Sequence, residues 1–506
     1  MKFKISLYIA AFTLVFSSCK KEWLDVNTNP NEILTSTPDY VFTAGAARTV
    51  AFLTPNELGS YWSGQWTQSN TYIIDPARFS YTFNNTNFNF WDTWYDVIAD
   101  FQYVINAEGE KAQPFFKGPA RVMKTYIMQQ IVDVYGNAPY TDAFKGLGNI
   151  APKFDDQKAI YEDLIKQLDQ AIADLKANPF TGSYAGSISS ADIIFKGNTT
   201  NWIKFANSLK LRMLIRQSMI PGRDAYITTE INKAAAVTEG FMTSVDASVN
   251  PGYIASTGKM NPFYENWGYN ASGGVQALGR FPRPTTFLFT TLANSNDTFR
   301  LKRLAYPKGG QAAGEAELVA NYVAVPYGAS SGYLSQNTSY LGPSVLVKGE
   351  YNRPMYLMLA AETNFLLAEA KQRYGAAVNL TGTAQEYYEQ GVKESFRITG
   401  ATATYGADKA TALLTSGKDL ADWTASPDKF KAIWMQKWLA LVNFSGLEAW
   451  SEYRRTDFPA IPLSASAPAG QKRAVRLFYP STEGGSNPNV PTGIDVFTSK
   501  IFWDIN

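Results

Sequence analysis

Residues 430–459 read FKAIWMQKWLALVNFSGLEAWSEYRRTDFP. Phe430, Trp434, Trp438, Leu441 and Val442 recur every three or four positions, which puts two indoles and several aliphatics on one helical face and marks that face as core. Gly446 supplies a natural stop. Leu447, Trp450 and Tyr453 then give a second short helix an apolar side, closed by Asp457 and Pro459. Helix, glycine and helix predict a tight helical hairpin.

The same period recurs upstream. In residues 91–107 it runs through Trp91, Trp94, Tyr95, Ile98 and Ile105, and in 161–177 through Leu164, Leu168, Ile172 and Leu175. Residues 118–135 and 161–177 form a predicted pair around the turn DVYGNAPYTDAF, 133–144. Residues 201–219 and 226–239 form another, punctuated by Pro221-Gly222, and 354–374 with 384–396 a third. The chain reads as mostly α, and successive hairpins suggest a tetratricopeptide-like stack, with LAEAKQRYG followed by AQEYYEQGVKESF nearest to such a consensus. Two stretches break the pattern. Residues 61–90 are irregular and aromatic, and 241–353 are rich in Gly, Pro, Asn and Tyr, with a short strand expected at 318–325. Residues 459–506 are expected to pack back on the helices with Trp503 buried.

QKWLALVNFSGLEAWSEYRRTDFP resembles the C-terminal signature of the SusD/RagB family of outer-membrane lipoproteins. NWIKFANSLKLRMLIR, DVYGNAPYTDAF, AAETNFLLAEAKQRYG, LFYPSTEGGSNPNV and the terminal IFWD resemble that family's other landmarks, in its order, and LDVNTNPN is similar to its SusD-like branch. The resemblance implies that the helical hairpins are repeat units of one scaffold. It also implies a surface lipoprotein that binds a nutrient, glycan or oligopeptide, and sits as a lid over a SusC-like TonB-dependent transporter. Competing readings are a surface-anchored glycan hydrolase using paired carboxylates and a structural transporter subunit that binds no nutrient.

Composition narrows these readings. The net charge is +2 and only 18% of residues are charged, so the electrostatic footprint of a nucleic-acid binder is missing. Histidine is absent, which removes His-based triads, His metal ligands and the usual general base near neutral pH. The single cysteine, Cys19, follows Lys2, Lys4, an apolar run over 5–16 that is too short to span a bilayer, and Ser17-Ser18. This order predicts a lipoprotein signal peptide over 1–18, a lipidated Cys19, a tether over 19–40 and a body over 41–506. Anchoring in a membrane by several acyl chains would follow, and the resemblance implies that this is the outer membrane.

Carboxylate pairs are the chemistry such a chain can field. Asp155/Asp156, Glu362/Glu369 and Glu448/Glu452 qualify by spacing, but the last pair stands beside Arg454 and Arg455 and reads as a structural ion-pair network. No phosphate loop, nucleophile elbow or calcium-loop spacing occurs, so no catalytic residue, metal site or cofactor is assigned. Aromatics form 14% of the chain, more than a core also supplied with aliphatics requires, so most rings are expected inside and a minority on a ligand surface. The candidate ligand residues are Trp66, Tyr72, Asn89 and Trp91, with Gln65, Gln68 and Asn70 interleaved, and Tyr264, Trp267 and Tyr269 preceding Arg280 and Arg283. Rings suit sugar faces, amides suit hydroxyls, and a guanidinium suits a carboxylate. The two stretches are expected to form one mouth.

Overall fold

Periodicity becomes helix over about half of the described residues in the computed structural model, which describes residues 36–70, 76–109, 113–180, 185–310 and 318–506. The principal helices are α1 (Pro38–Arg48), α2 (Leu53–Trp62), α3 (Trp91–Asn106), α4 (Lys117–Tyr135), α5 (Gln157–Ala177), α6 (Thr199–Arg216), α7 (Asp224–Ala235), α8 (Pro262–Trp267), α9 (Ala360–Tyr374), α10 (Ala384–Ile398), α11 (Lys429–Ala440) and α12 (Gly446–Thr456). Local chemistry sets their ends. Asp156 starts α5 four residues earlier than the apolar period alone indicates, because its carboxylate accepts from the backbone of Lys158 and Ala159. Thr383 and Glu386 form a reciprocal capping box on α10.

Helices adjacent in sequence pack on one another: α3 on α4, α4 on α5, α5 on α6, α6 on α7, and α9 on α10. This is the expected tetratricopeptide-like, mostly α arrangement. The stack continues where α9 packs on α6 and on α11. Residues 38–506 form one compact unit.

Several expectations are corrected. α11 and α12 do not form a tight hairpin: α11 lies on α9 and α10, whereas α12 lies on α2. Gly446 is not the stop of the first helix but the first residue of α12. A Cβ there would run into the backbone of Asn56 and Ser60, and one on Gly59 would run into Gly446, so two glycines let α2 and α12 touch backbone to backbone. The left-handed residue that turns the chain after α11 is Asn443, at φ +71°. The first helix among the described residues starts at Pro38. Residues 355–358 are strand before α9 begins, and 318–325 hold a 3-10 turn at Val319–Asn321 and a single bridge from Val325 to Thr285 instead of a strand. The 241–353 stretch also carries two short helices, Thr286–Asn294 and Thr298–Leu304.

Among the described residues, three two-stranded antiparallel sheets tie the irregular stretches together: β1 (Trp66–Gln68) with β3 (Pro282–Pro284), β2 (Ala247–Val249) with β6 (Met355–Met358), and β4 (Ala305–Tyr306) with β5 (Tyr340–Leu341). The C-terminal segment packs inward as expected. Trp503 is fully buried and its Nε1 donates to Asp133 Oδ1 at 2.8 Å.

A buried ion network runs between α6, α9, α11 and α12. Arg212 pairs Glu362 through two bonds of 2.6 and 2.8 Å, Arg216 meets Glu448 at 2.5 Å, and Arg455 pairs both Glu369 and Glu452 at 2.7 Å. Lys437 adds a contact to Glu452 at 3.1 Å. Burial raises the Glu452 carboxyl, but Arg455, Lys437 and Arg216 outweigh it and hold the group well below its usual range; at Glu362 burial wins over Arg212 and the shift is upward. Arg454 departs from expectation. It leaves the glutamates, lies over the Trp450 ring at 3.8 Å and donates to the Asp133 and Val475 carbonyls.

Candidate ligand-binding cavities

The β1–β3 pair joins the two irregular stretches, with Trp66 opposite Pro284. Trp66 is 2% exposed, and its indole Nε1 donates to Asn443 Oδ1 at 2.8 Å. Asn443 in turn donates from Nδ2 to the Leu304 carbonyl at 3.1 Å, so the turn after α11 fixes the ring. From the opposite side comes α8, started by Asn261. The Asn261 side chain accepts from Tyr264 N–H at 2.9 Å and donates to the Arg353 carbonyl at 2.7 Å.

Between these elements lies a cavity of about 210 Å³ walled by Trp66, Phe263, Trp267, Tyr356, Asn443 and Arg303. A second cavity of about 360 Å³ is walled by Trp267, Tyr269, Arg280, Tyr306 and Tyr340. Trp267 belongs to both walls. Flat rings and amide groups therefore converge, which suits a ligand with C–H faces and hydroxyls. Glu57 also lines the first cavity, and its partner Arg78 stands 2.6 Å away. Burial raises the Glu57 carboxyl, with Arg78 acting against it.

The candidate residues divide. Trp66 and Trp267 share the first cavity, and Trp267, Tyr269 and Arg280 share the second. Tyr72 lies outside the described residues. Trp91 and Asn89 are not at this mouth. Trp91 is packed among Tyr95, Tyr135, Phe154 and Tyr479, at 4.9 Å and 5.1 Å from the first two rings. Asn89 accepts from Trp91 N–H at 3.1 Å and donates to Asp92 at 2.9 Å, closing the start of α3. Arg283 is fully buried, donates to Thr338 Oγ1 at 2.9 Å and lies over the Tyr340 ring at 4.0 Å, so it braces the loop. Tyr264 is an anchor beneath the second cavity, its ring 5.4 Å from Tyr269 and its hydroxyl accepting from Gly349 N–H. Gln65 is buried and donates to the Trp438 carbonyl at 3.1 Å.

Sequence reasoning missed Phe263, Arg303, Tyr356 and Asn443. Phe263 was within reach, since it stands in the same NPFYENW run as Tyr264 and Trp267. The other three carry no local signal. Among the described residues no His, Cys, Asp and Glu cluster is placed to hold a metal ion, and no helix is long and apolar enough to cross a membrane.

A helical scaffold with aromatic cavities held on its insertions has the architecture of a nutrient-binding protein. The family model described as "Starch-binding associating with outer membrane", SusD-like, matches residues 28–480, and the chain belongs to the SusD/RagB family. Its fold is that of solved family members. A chitin-binding SusD homolog from Flavobacterium johnsoniae is 23% identical with a TM-score of 0.70, the match covering 92% of this chain and 99% of that one. A SusD-like protein from Bacteroides thetaiotaomicron is 24% identical with a TM-score of 0.71, covering 92% and 99%. A SusD/RagB family protein of the same organism is 20% identical with a TM-score of 0.72, covering 93% and 100%. No curated protein sequence matches the chain.

Proposed function

We propose that this protein is an outer-membrane surface lipoprotein that captures a glycan in the two adjoining cavities and delivers it to a SusC-like TonB-dependent transporter. The observation that carries the reading is Trp267, an indole common to both cavity walls, flanked by Trp66 and Phe263 on one side and Tyr269 on the other. The family description and the chitin-binding relative favour a glycan over an oligopeptide.

Binding is favoured over hydrolysis by the state of the carboxylates. Glu362, Glu369, Glu448 and Glu452 are all buried and paired with cations. Asp155 accepts from Tyr140 and Thr141, and Asp156 caps α5. Glu57 is the one carboxylate on the described wall of the first cavity, whereas glycoside hydrolysis needs two facing acids.

Titration calorimetry with neutral trisaccharides, chitotriose and maltotriose, tests the reading. Trp267→Ala should weaken binding by about 1–3 kcal/mol with little change in Tm, as loss of a central ring does. Full affinity in that variant returns Trp267 to a packing role.

A further inference from the structure

Arg303 follows Thr298–Leu304's helical register into the wall of the first cavity, and its charge is not balanced there. Its Nε donates to the Thr399 carbonyl at 2.7 Å. Its Nη1 and Nη2 make no hydrogen bond or ion pair among the described residues, and neither is a sealed, unsatisfied atom. The other charges lining the cavity are matched: Glu57 with Arg78, and Arg353 with Glu350 at 2.6 Å. One positive charge is left over.

The guanidinium is also held in place. The Thr399 carbonyl fixes one edge, and Gly400, at φ +111°, brings its backbone so close that a Cβ would collide with Nη2. The edge formed by Nη1 and Nη2 is the one left to donate two parallel hydrogen bonds. That fork matches a carboxylate, and a pre-positioned fork loses little freedom on binding. Burial pulls the Arg303 pKa down; Tyr405, Tyr306 and Glu350 act against it without offsetting it, and the neighbouring Arg353 adds to the lowering.

We infer that the first cavity takes a sugar bearing a carboxylate, held by Arg303 through a bidentate pair while Trp66, Trp267 and Phe263 cover the ring. This rests on the glycan reading above and adds the charge of the ligand. At about 210 Å³ the cavity is smaller than the roughly 300–1,000 Å³ of drug-sized sites, which suits one residue of a chain, and the second cavity shares the Trp267 wall. The rings of Trp66, Trp267 and Phe263 on the same wall suit the C–H face of a sugar, which is why a sugar is favoured over a peptide terminus.

The test uses the full chain in detergent and compares acidic probes, trigalacturonate, trimannuronate and sialyllactose, with chitotriose and maltotriose at low and high salt. The expected result is about tenfold or greater preference for at least one acidic probe, reduced by salt. Arg303→Gln should erase that preference, lowering affinity for the acidic probe by far more than for the neutral ones, with little change in Tm. Arg303→Lys, which keeps the charge but not the fork, should retain part of it and serves as the readout if Arg303→Gln fails to fold. Equal binding of acidic and neutral probes, or a preference that survives both substitutions, overturns the inference and leaves the glycan reading standing. Arg303-dependent binding of a tripeptide with a free C-terminus, with no acidic saccharide bound, overturns it in favour of a peptide. Failure of every saccharide overturns both.

Discussion

Gly446 shows how one residue changes meaning between sequence and structure. Read as a helix stop, it would resist a side chain only through the cost of a left-handed backbone. Placed against Asn56 and Ser60, it has no room for a methyl group. Gly446→Ala should therefore destabilise the protein by about 1–3 kcal/mol, as overpacking does, although alanine is the better helix former. Urea denaturation decides it: equal or greater stability would place the helix contact elsewhere. Lys124 gives a second prediction at this scale. Burial, aided by Arg121, brings its pKa down to about 8 from 10.5. Its ammonium donates to Gln102 at 2.6 Å beneath the Tyr140 ring. Because the folded pKa lies below the unfolded one, the unfolded chain binds more protons between pH 8 and 10.5, and the contribution of Lys124 to stability rises with pH across that window. Lys124→Met should be favoured over wild type at pH 7.5 by an amount that shrinks, by on the order of 1–3 kcal/mol, towards pH 10.5. A difference independent of pH would show that the ammonium is solvated.

At the scale of elements, α6, α9, α11 and α12 meet through charges rather than apolar side chains alone. Arg455 is fully buried with Glu369 on one side and Glu452 on the other. Arg455→Met should cost about 3–5 kcal/mol, chiefly because two buried carboxylates lose their cation. Adding Glu369→Gln to that variant should recover part of the loss. Chemical denaturation of the single and double variants measures the coupling, and strictly additive effects would mean the pair does not interact. The β1–β3 pair acts differently, since it contributes position more than energy: three residues on each side bring Trp66 to the insertion that carries Trp267.

The whole molecule is proposed to work at a membrane, and there the decisive segment is residues 1–35, which lie outside the described residues. Cys19→Ala should release the protein from the membrane fraction, while wild type retains acyl mass at its N-terminus. Retention of the variant together with an unmodified wild-type terminus would remove the anchor from the proposal. Confinement to the membrane plane raises the effective concentration for a barrel partner, so solubilised native membranes should yield this protein with a TonB-dependent transporter. Migration alone in every detergent would leave a binding protein without the lid role.

Periodic apolar spacing carried the helices, because a face that must be buried repeats every three or four residues wherever the helix goes. The order of landmarks carried the family, and Glu448 and Glu452 beside arginines already indicated ion pairing. Partner choice did not follow from spacing: α12 lies on α2, and the arginine beside Glu448 is Arg216, 232 residues away. The cavity is the clearest case. Trp66 bonds Asn443 across 377 residues, and Arg303 is held by Thr399 across 96. Trp66 and Trp91 are the same residue type in similar aromatic surroundings of the sequence, yet one lines a cavity and the other fills a core. Residue chemistry alone determined what could bury and what could bind; only the packing of distant segments decided which rings and which arginines came to line the cavities.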